Sequence, residues 1–419
     1  MRTPPHAPQR SFAALRHRGY RMLFIGSAAA MMADNIEHVI SYWVLFQKFH
    51  SPALGGFAVI SHWLPFLAFS VYVGALADRF DPRRMIQLGM LLFMAVSLTW
   101  GVLFLTGRLQ VWHAVALLTV HGMAGVLWNP PMQLLLHDVV GLEDLPSAVR
   151  LSATARYLGV LAGPAAGSVL LLALGPAHGI FVNALFYLPL ALWLWKAPYG
   201  PRFRTGAAAA PRPLRGFADV IESFRTVRAH PTIITMTLLA AGASFFIGSA
   251  YQAQMPQFAH ELGHGDPGIA YSALLQADAA GALLAGLVLE SRGLLQPSAR
   301  TALLLAALWC AALGAFALTS VYPLALLLLG TAGFLELSFS AIAQTLVQLN
   351  APAGLRGGVI GVFSMASLGL RMFSGFTVGV LGSLIGIHFS LAASAALLLF
   401  ALLLLLRRSE RTRVAQRAP

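Results

Sequence analysis

Six ionisable side chains interrupt apolar stretches that are otherwise long enough to cross a lipid bilayer. They are Asp34, Glu37, Arg156, Asp278, Glu336 and Arg371. Each charge at the centre of a membrane helix costs about 2.5–3.5 kcal/mol, so such residues are retained where they face a wet cavity or pair with one another. A desolvated carboxyl group holds its proton more readily, and a nearby arginine opposes this. The six residues therefore predict a proton-coupling site or a polar substrate cavity inside the membrane.

Part of this set belongs to a polar stripe on the first apolar stretch. The stripe consists of Asp34, Glu37, His38 and Ser41. Intervals of three and four residues place all four on one helical face, which we expect to line the cavity. Asp34 and Glu37 are the favoured titrating pair. Alternatively, Arg156 and Arg371 form static ion pairs with the acids, in which case Glu336 and Arg371 are the expected partners.

The remaining residues with metal-binding or nucleophilic side chains show no spacing typical of a metal site, and we expect neither a metal nor a cofactor. His62 and His121 are interpreted as packed hydrogen-bonding residues, with a proton relay as the second interpretation. Cys310 is the single cysteine, which excludes an internal disulfide. Lys48 and Lys196 do not follow a glycine, so a phosphate-binding loop is excluded and transport would draw on an ion gradient or a partner ATPase.

The composition places these charges in a membrane protein. Apolar residues make up 58% of the 419 residues, charged residues 10%, and the mean hydropathy is +0.73, far outside the range of soluble domains. A bilayer core requires about 20 apolar residues per helix. On this basis we predict twelve transmembrane helices, over residues 20–46, 54–77, 82–106, 111–136, 146–174, 177–196, 231–258, 267–290, 298–320, 322–349, 357–383 and 386–406.

The basic residues predict the orientation of these helices. All but four of the 28 lysines and arginines lie in the two tails, in alternate loops or in the segment 196–230. The exceptions are Lys48 and Arg108 on the opposite side, and Arg156 and Arg371 within helices. By the positive-inside rule both termini are expected in the cytoplasm, at the inner membrane. The net charge of +13 then needs no nucleic-acid partner.

Residues 197–230 divide the predicted helices into two groups of six, over residues 1–196 and 231–419. The segment begins with prolines and glycines and continues with apolar residues at helical spacing, which predicts an amphipathic helix on the cytoplasmic leaflet. Those apolar residues are Leu214, Phe217, Ala218, Ile221 and Phe224. A solvated tether between two bundles is the alternative interpretation.

A charged loop separates the second and third predicted helices. Its candidate functional residues are Gly74, Asp78, Arg79, Arg83 and Arg84. Asp81 and Pro82 suit the N-cap and first position of the third helix, which leaves Asp78 free to meet one of the arginines or the positive N-terminus of another helix. We interpret the loop as a conformational latch; a charge cluster that only sets topology is the alternative. Glu290, which precedes Arg292, is in a similar position in the second half.

The fifth predicted helix carries a motif of small residues. It consists of Gly159, Gly163, Pro164 and Gly167. Glycines four residues apart allow two helices to approach closely, and the proline is expected to bend the helix. Ordinary tight packing is the alternative role.

These motifs resemble those of a known superfamily over nearly the whole chain. The loop pattern G-x-L-x-D-R-x-x-x-R-R resembles the signature between helices two and three of the major facilitator superfamily. The Gly163-Pro164 motif resembles the antiporter signature of its drug-efflux members, although Ser168 stands where a second glycine is common. The opening Leu15-Arg16-x-Arg18-x-Tyr20-Arg21-x-Leu23-Phe24, followed by Asp34, resembles the branch that includes bacterial macrolide-efflux and siderophore-export proteins.

The resemblance implies an all-α integral membrane protein with twelve transmembrane helices in two pseudo-symmetric six-helix bundles. It further implies a secondary transporter, acting as a monomer, that exports a drug- or siderophore-like molecule in exchange for protons by alternating access. The residues matching the family latch are Asp78, Arg79 and Arg84. Gln296 and Pro297 replace arginines in the second half, so a weaker latch is expected there.

Three other functions fit the sequence less well. Uptake of a metabolite or inward movement of a lipid would use the same fold, but the motif of the fifth helix favours efflux. A membrane-embedded enzyme would require a catalytic arrangement that the sequence does not contain, so we expect no enzymatic activity. A non-transporting sensor or assembly factor would not need charges inside the membrane.

Overall fold

The chain folds almost entirely into helices. The structure is a computed structural model that describes residues 11–203, 216–263, 269–292 and 297–415, and these residues contain no β-strand. The first half contains α1 (Arg18–Phe49), α2 (Pro52–Ala77), α3 (Pro82–Thr106), α4 (Val111–Val140), α5 (Leu145–Leu185) and α6 (Leu188–Lys196). A connecting helix, α7 (Phe217–Ala229), follows.

The second half is more interrupted. Its helices are α8 (Pro231–Phe246), α9 (Ala250–Ala253), α10 (Met255–Glu261), α11 (Ile269–Arg292), α12 (Ala299–Leu318), α13 (Tyr322–Asn350), α14 (Arg356–Ser364), α15 (Arg371–Ser374), α16 (Leu381–Ile385) and α17 (Ile387–Ala415). Two π-helical segments, Met365–Gly369 and Gly375–Val380, flank α15.

Ten helical stretches of the described chain are long and apolar enough to cross a membrane. One of them, Leu145–Lys196, has 52 residues, about twice the length of a single span. Gly175 divides it with φ 74° and ψ 170°, next to the predicted boundary between the fifth and sixth spans. α1 is not among the ten, because its polar stripe lowers its hydropathy. The predicted all-α membrane fold is confirmed.

Two predicted spans are continuous in sequence but broken in the structure. The span predicted over 231–258 is divided into α8, α9 and α10, and the span over 357–383 is divided by the π-helical segments. The breaks contact one another: Thr377 Oγ1 lies 3.0 Å from the Phe245 carbonyl and 2.9 Å from the Phe246 carbonyl, so its hydroxyl can donate to these terminal carbonyls of α8. Hydropathy and periodicity define the outer limits of both stretches, so they did not indicate these breaks.

The connecting helix α7 buries polar residues and exposes apolar ones. Its polar side is buried, since Asp219 and Ser223 pack against the loop after α2 and the start of α14. Phe217, Ile221 and Phe224 are exposed, which leaves an apolar stripe on the outside. Such a stripe suits contact with a membrane surface. Leu214, part of the predicted pattern, lies outside the described residues.

The glycines of the fifth-helix motif pack α5 directly onto α1. A Cβ atom at Gly159 would lie 2.7 Å from the Met31 Cβ, and one at Gly163 would lie 2.4 Å from the Asn35 Cβ. Gly167 faces the next turn of α1 at 3.2 Å. The break in this helix is not at Pro164, which lies inside α5, but at Gly175. The motif therefore acts here as a packing surface.

This packing predicts that Gly163→Ala destabilises the protein. The added methyl group overlaps Asn35, so α1 and α5 must separate, at a cost of about 1–3 kcal/mol for an overpacked core. The midpoint of thermal unfolding in detergent should fall. Gly314→Ala is the matched control, because the nearest atom to its new Cβ is 3.9 Å away. Equal midpoints for the two variants would contradict the packing role.

Candidate functional site

The loop after α2 joins the two halves of the chain through Asp78. Its carboxylate oxygens accept hydrogen bonds from the backbone amides of Gly357, at 2.6 Å, and Gly358, at 3.0 Å. These amides belong to the first turn of α14, where the helix dipole favours a negative charge. Burial raises the pKa of Asp78 above its usual value, and the two amide hydrogen bonds oppose that shift. Asp78 thus meets the N-terminus of a helix in the other half, one of the partners considered from the sequence.

A glycine on each helix allows this contact. A Cβ atom at Gly74 would lie 2.1 Å from the Gly357 carbonyl oxygen, and one at Gly357 would lie 2.1 Å from the Gly74 carbonyl oxygen. Gly361, one turn further along α14, approaches the backbone of Ser70 in the same way. α2 and α14 can therefore pack backbone to backbone, which brings the amides of α14 within reach of Asp78.

The arginines of the loop have other partners. Arg79 forms a bidentate pair with Asp219 of α7, with N–O distances of 2.7 and 2.6 Å. Arg83 donates to Asp81, the N-cap of α3, and to the Ala197 carbonyl. Burial pushes the pKa of Asp81 upward, but its hydrogen bonds from Arg83 outweigh this and hold the pKa below its usual value. The loop is thus tied to α7 and to the end of α6.

Within the described part of the chain, Arg84 contacts residues of the first half. Its guanidinium donates to Gln87 at 2.8 Å and lies 5.1 Å from the ring centre of Trp195. Of the three residues that match the family latch, Asp78 bonds to the second half and Arg79 to α7, whereas Arg84 contacts the first half.

A second contact of the same kind involves Glu290, near the end of α11. This buried carboxylate accepts hydrogen bonds from Arg150 Nε, at 2.7 Å, and from the Ser147 hydroxyl, both in the first turns of α5. The contact is the counterpart of Asp78 at α14, because in each case an acid ending one helix meets the start of a helix in the other half. The expectation of a weaker latch rested on the loop after α11, whereas Arg150 belongs to the first turns of α5.

Amide side chains extend this junction towards the membrane interior. Gln133 of α4 donates to Ser364 of α14, at 3.1 Å, and accepts from Gln348 of α13, at 3.2 Å. These contacts lie in the same part of the molecule as those of Asp78 and Glu290. Together they join the two halves on the side that carries Arg79, Arg150 and Arg356, which we call the arginine-rich side.

The polar stripe of α1 is tied to α4 by His121. The His121 ring lies between the two acids, with Nε2 2.9 Å from Asp34 Oδ1 and Nδ1 2.8 Å from Glu37 Oε1. Glu37 also accepts a hydrogen bond from Ser97 of α3, and Asn183 donates to that hydroxyl at 3.3 Å. The stripe is therefore held by α3, α4 and α5, all within the first half.

Two further histidines adjoin this network. His38 Nδ1 lies 3.8 Å from Asp34 Oδ2, and the ring centre of His62 lies 5.0 Å from that of His38. The ligand atoms of Asp34, His38, His62 and His121 all lie within 4.8 Å of one another. These four residues come from three helices, so no linear spacing in the sequence indicates the cluster.

Asp278 of α11 is buried among neutral partners in the second half. The Tyr251 hydroxyl lies 3.2 Å from both carboxylate oxygens, and Gln252 donates to one of them at 3.0 Å. In the described part of the chain Asp278 forms no ion pair. One helical turn further, Ala282 belongs to the same buried apolar cluster as Tyr157 of α5, so Asp278 lies close to the surface where the halves meet.

The remaining intramembrane charges lie near this surface. Arg371 Nη2 is 3.7 Å from Glu336 Oε1, the pair considered from the sequence. The same guanidinium lies 5.5 Å from the ring centre of Trp63, which belongs to the first half. Arg156 packs over Tyr157 at 5.3 Å. The predicted residues thus form two groups, one around His121 and one around Asp278 and Arg371.

The chain matches the sequence profile of one protein family over residues 9–417, described as transmembrane secretion effector. It is 24% identical over 402 residues to an MFS-type transporter of Bacillus subtilis, YfiS, covering 91% of each chain. It is 27% identical over 290 residues to the enterobactin exporter EntS of Salmonella choleraesuis, covering 67% of this chain and 66% of that one.

Solved structures support the same fold. The human organic anion transporter MFSD10 superposes with a TM-score of 0.74 at 14% identity, covering 94% of this chain and 99% of that one. The fucose:proton symporter FucP of E. coli superposes with a TM-score of 0.71 at 12% identity, covering 93% and 99%. The protein belongs to the transmembrane secretion effector family of major facilitator superfamily transporters.

Proposed function

We propose that this transporter exports a small organic molecule across the inner membrane in exchange for protons, by alternating access. The observation that carries the proposal is Asp278, a buried carboxyl group inside the membrane region that forms no ion pair with any described residue, beside the surface where two helical halves meet. A charge in this position is costly, and protonation removes the cost. Proton uptake and release at Asp278 would then be coupled to the movement of the halves.

The contacts on the arginine-rich side support a conformation closed to the cytoplasm. The positive-inside rule assigns this side to the cytoplasm, and the first and second halves bond to each other there through Asp78 and Glu290. Opening to the cytoplasm would require both acids to leave their helix N-termini. The loop after α2 would therefore act as the latch, and Arg79 would couple it to α7.

Asp278 is a better candidate for the titrating acid than Asp34 or Glu37. The sequence favoured the latter two, but His121 already lies between them at hydrogen-bond distance. Asp278 is bound by Tyr251 and Gln252, which are neutral donors to a carboxylate and can rearrange when the carboxyl group is protonated. Glu336 and Arg371 would line the substrate path beside it.

Two observations favour export as the direction. The family is described by secretion, and one relative is an exporter of enterobactin. Together with the Gly163-Pro164 motif, these favour a drug- or siderophore-like substrate that leaves the cytoplasm.

We expect Asp78→Asn to weaken the closed conformation. The substitution removes a charge from two amide donors of α14 and leaves one acceptor oxygen. Ser70 of α2 is a suitable position for a reporter cysteine, because it is buried where α2 packs against α14. In a variant with Cys310→Ser and Ser70→Cys, the rate of labelling by a membrane-impermeant maleimide applied from the cytoplasmic side should rise several-fold when Asp78→Asn is added.

Asp144→Asn is the matched control for this measurement. Asp144 pairs with His17 at 2.7 Å, so both partners belong to the first half. Its substitution should leave the labelling rate of Ser70→Cys unchanged. A rate that does not respond to Asp78→Asn, or responds equally to Asp144→Asn, would contradict the latch.

Asp278→Asn should abolish proton coupling while substrate binding is retained, because asparagine keeps the hydrogen-bonding size of the side chain but carries no titratable proton. The measurement is flux driven by an imposed pH gradient in proteoliposomes, with a panel of drugs and siderophores. Wild type should accumulate a substrate of the panel. Asp278→Asn should reduce gradient-driven accumulation by at least about tenfold, as expected if transport depends on this proton.

Asp34→Asn and Asp144→Asn complete the series. Asp144→Asn should transport like wild type. If coupling is lost in Asp34→Asn and preserved in Asp278→Asn, the proton site belongs to α1 and the present assignment is wrong. A strain lacking the protein that shows no change in sensitivity to toxic compounds but cannot take up a nutrient would contradict export itself.

A further inference from the structure

We infer that Asp34, His38, His62 and His121 form a binding site for a divalent transition-metal ion of the Zn²⁺ class. One carboxylate and three imidazoles converge from α1, α2 and α4, with ligand atoms within 4.8 Å of one another. Imidazole and carboxylate are the ligands of many four-coordinate zinc sites. The inference concerns a metal ion and does not depend on the proposed export of an organic molecule.

The spacing of the ligand atoms is close to that of a tetrahedral site. Zinc–nitrogen and zinc–oxygen bonds of about 2.0–2.2 Å place neighbouring ligand atoms roughly 3.3–3.5 Å apart. His121 Nε2 lies 2.9 Å from Asp34 Oδ1 and His38 Nδ1 lies 3.8 Å from Asp34 Oδ2, one shorter and one longer than this spacing. A pair at the upper limit of 4.8 Å must close by about 1.4 Å, which is within the reach of side-chain rotations of histidine.

Glu37 supplies the supporting interaction that metal-bound histidines usually have. With the Nδ1 hydrogen of His121 directed to Glu37 Oε1 at 2.8 Å, the Nε2 lone pair faces the other three residues. Glu37 is held in turn by the hydroxyl of Ser97. In this arrangement a bound ion takes the place between His121 Nε2 and Asp34, and any proton held between those two atoms is released.

His62 points to the same conclusion independently. Its Nδ1 atom is buried and has no hydrogen-bond partner among the described residues. A buried polar atom without a hydrogen-bond partner costs about 1–3 kcal/mol, so the missing partner of His62 Nδ1 requires an explanation. Coordination of a cation shared with His38 and His121 would satisfy it.

Charge and ligand type favour a transition metal over other cations. Asp34 and Glu37 contribute two negative charges, which a divalent ion neutralises inside the membrane region. Three of the four ligands are nitrogens, which suit Zn²⁺, Co²⁺ or Ni²⁺, whereas Mg²⁺ and Ca²⁺ require oxygen ligands. Cys310, the only thiol, is in the second half, so the site is not one for soft ions.

The site borders the surface between the halves. His62 packs against Trp63 with ring centres 4.6 Å apart, and Arg371 of the second half lies over Trp63. The His38 side chain is 21% exposed, which gives an ion an approach to the cluster. The metal would therefore bind on the wall of the path that separates the two halves.

Metal uptake by the purified, untagged protein tests the site. Equilibrium dialysis against Zn²⁺ in the presence of excess Mg²⁺, followed by elemental analysis, should give one tightly held Zn²⁺ per chain. His62→Ala and His38→Ala should each weaken this binding at least about tenfold, because each removes a direct ligand. Glu37→Gln should weaken it by about 10–100-fold through the orientation of His121.

His17→Gln is the matched control, since His17 also contacts an aspartate but lies outside the cluster. It should bind Zn²⁺ like wild type. Wild type without saturable uptake, equal uptake by His62→Ala, or equal loss in His17→Gln would each overturn the inference.

A second test uses Co²⁺ in place of Zn²⁺ and needs no variant. Intense visible absorption bands of four-coordinate Co²⁺ support the site, and the weak bands of the six-coordinate ion contradict it.

Discussion

The cost of a charge in hydrocarbon governs how this chain arranges its polar residues. The first half compensates two acids with a histidine between them, so Asp34, Glu37 and His121 form one closed network. The second half surrounds Asp278 with a phenol and an amide, and no described residue forms an ion pair with it. The same constraint thus has two solutions: a network that can be neutralised by a cation, and a carboxyl group that can be neutralised by a proton.

Helix N-termini provide a related solution at the membrane surface. Asp78 binds the first amides of α14, and Glu290 binds residues in the first turns of α5, so each half contributes an acid to the other. The glycines of α2 and α14 permit this arrangement by removing the side chains that would separate the two backbones. Each junction consists of a few charge-assisted hydrogen bonds. Such bonds are strong enough to stabilise one conformation, and there are few enough of them to break when the conformation changes.

Much of the architecture could be predicted because the bilayer imposes a length and a polarity on every span. The twelve segments, the N-cap Asp81, and the boundary next to Gly175 follow from hydropathy and from residues with restricted backbone preferences. The superfamily could be inferred from the loop between α2 and α3, because its charged residues stand out in a chain with only 10% charged residues. Glu336 and Arg371, considered from the sequence as a static pair because they belong to the same half, lie 3.7 Å apart.

What the sequence determined by itself was which residues lie at membrane depth and which helix face carries each of them, because one-dimensional periodicity encodes both. Only the tertiary structure decided how these faces meet. His62 and His121 look like isolated histidines in the sequence, and they join Asp34 and His38 because α1, α2 and α4 pack together. Glu290 binds Arg150, which is 140 residues away in the sequence. The breaks in α8–α10 and in α14–α16 contact each other. Contacts between distant segments leave no periodic signal, so packing alone establishes them.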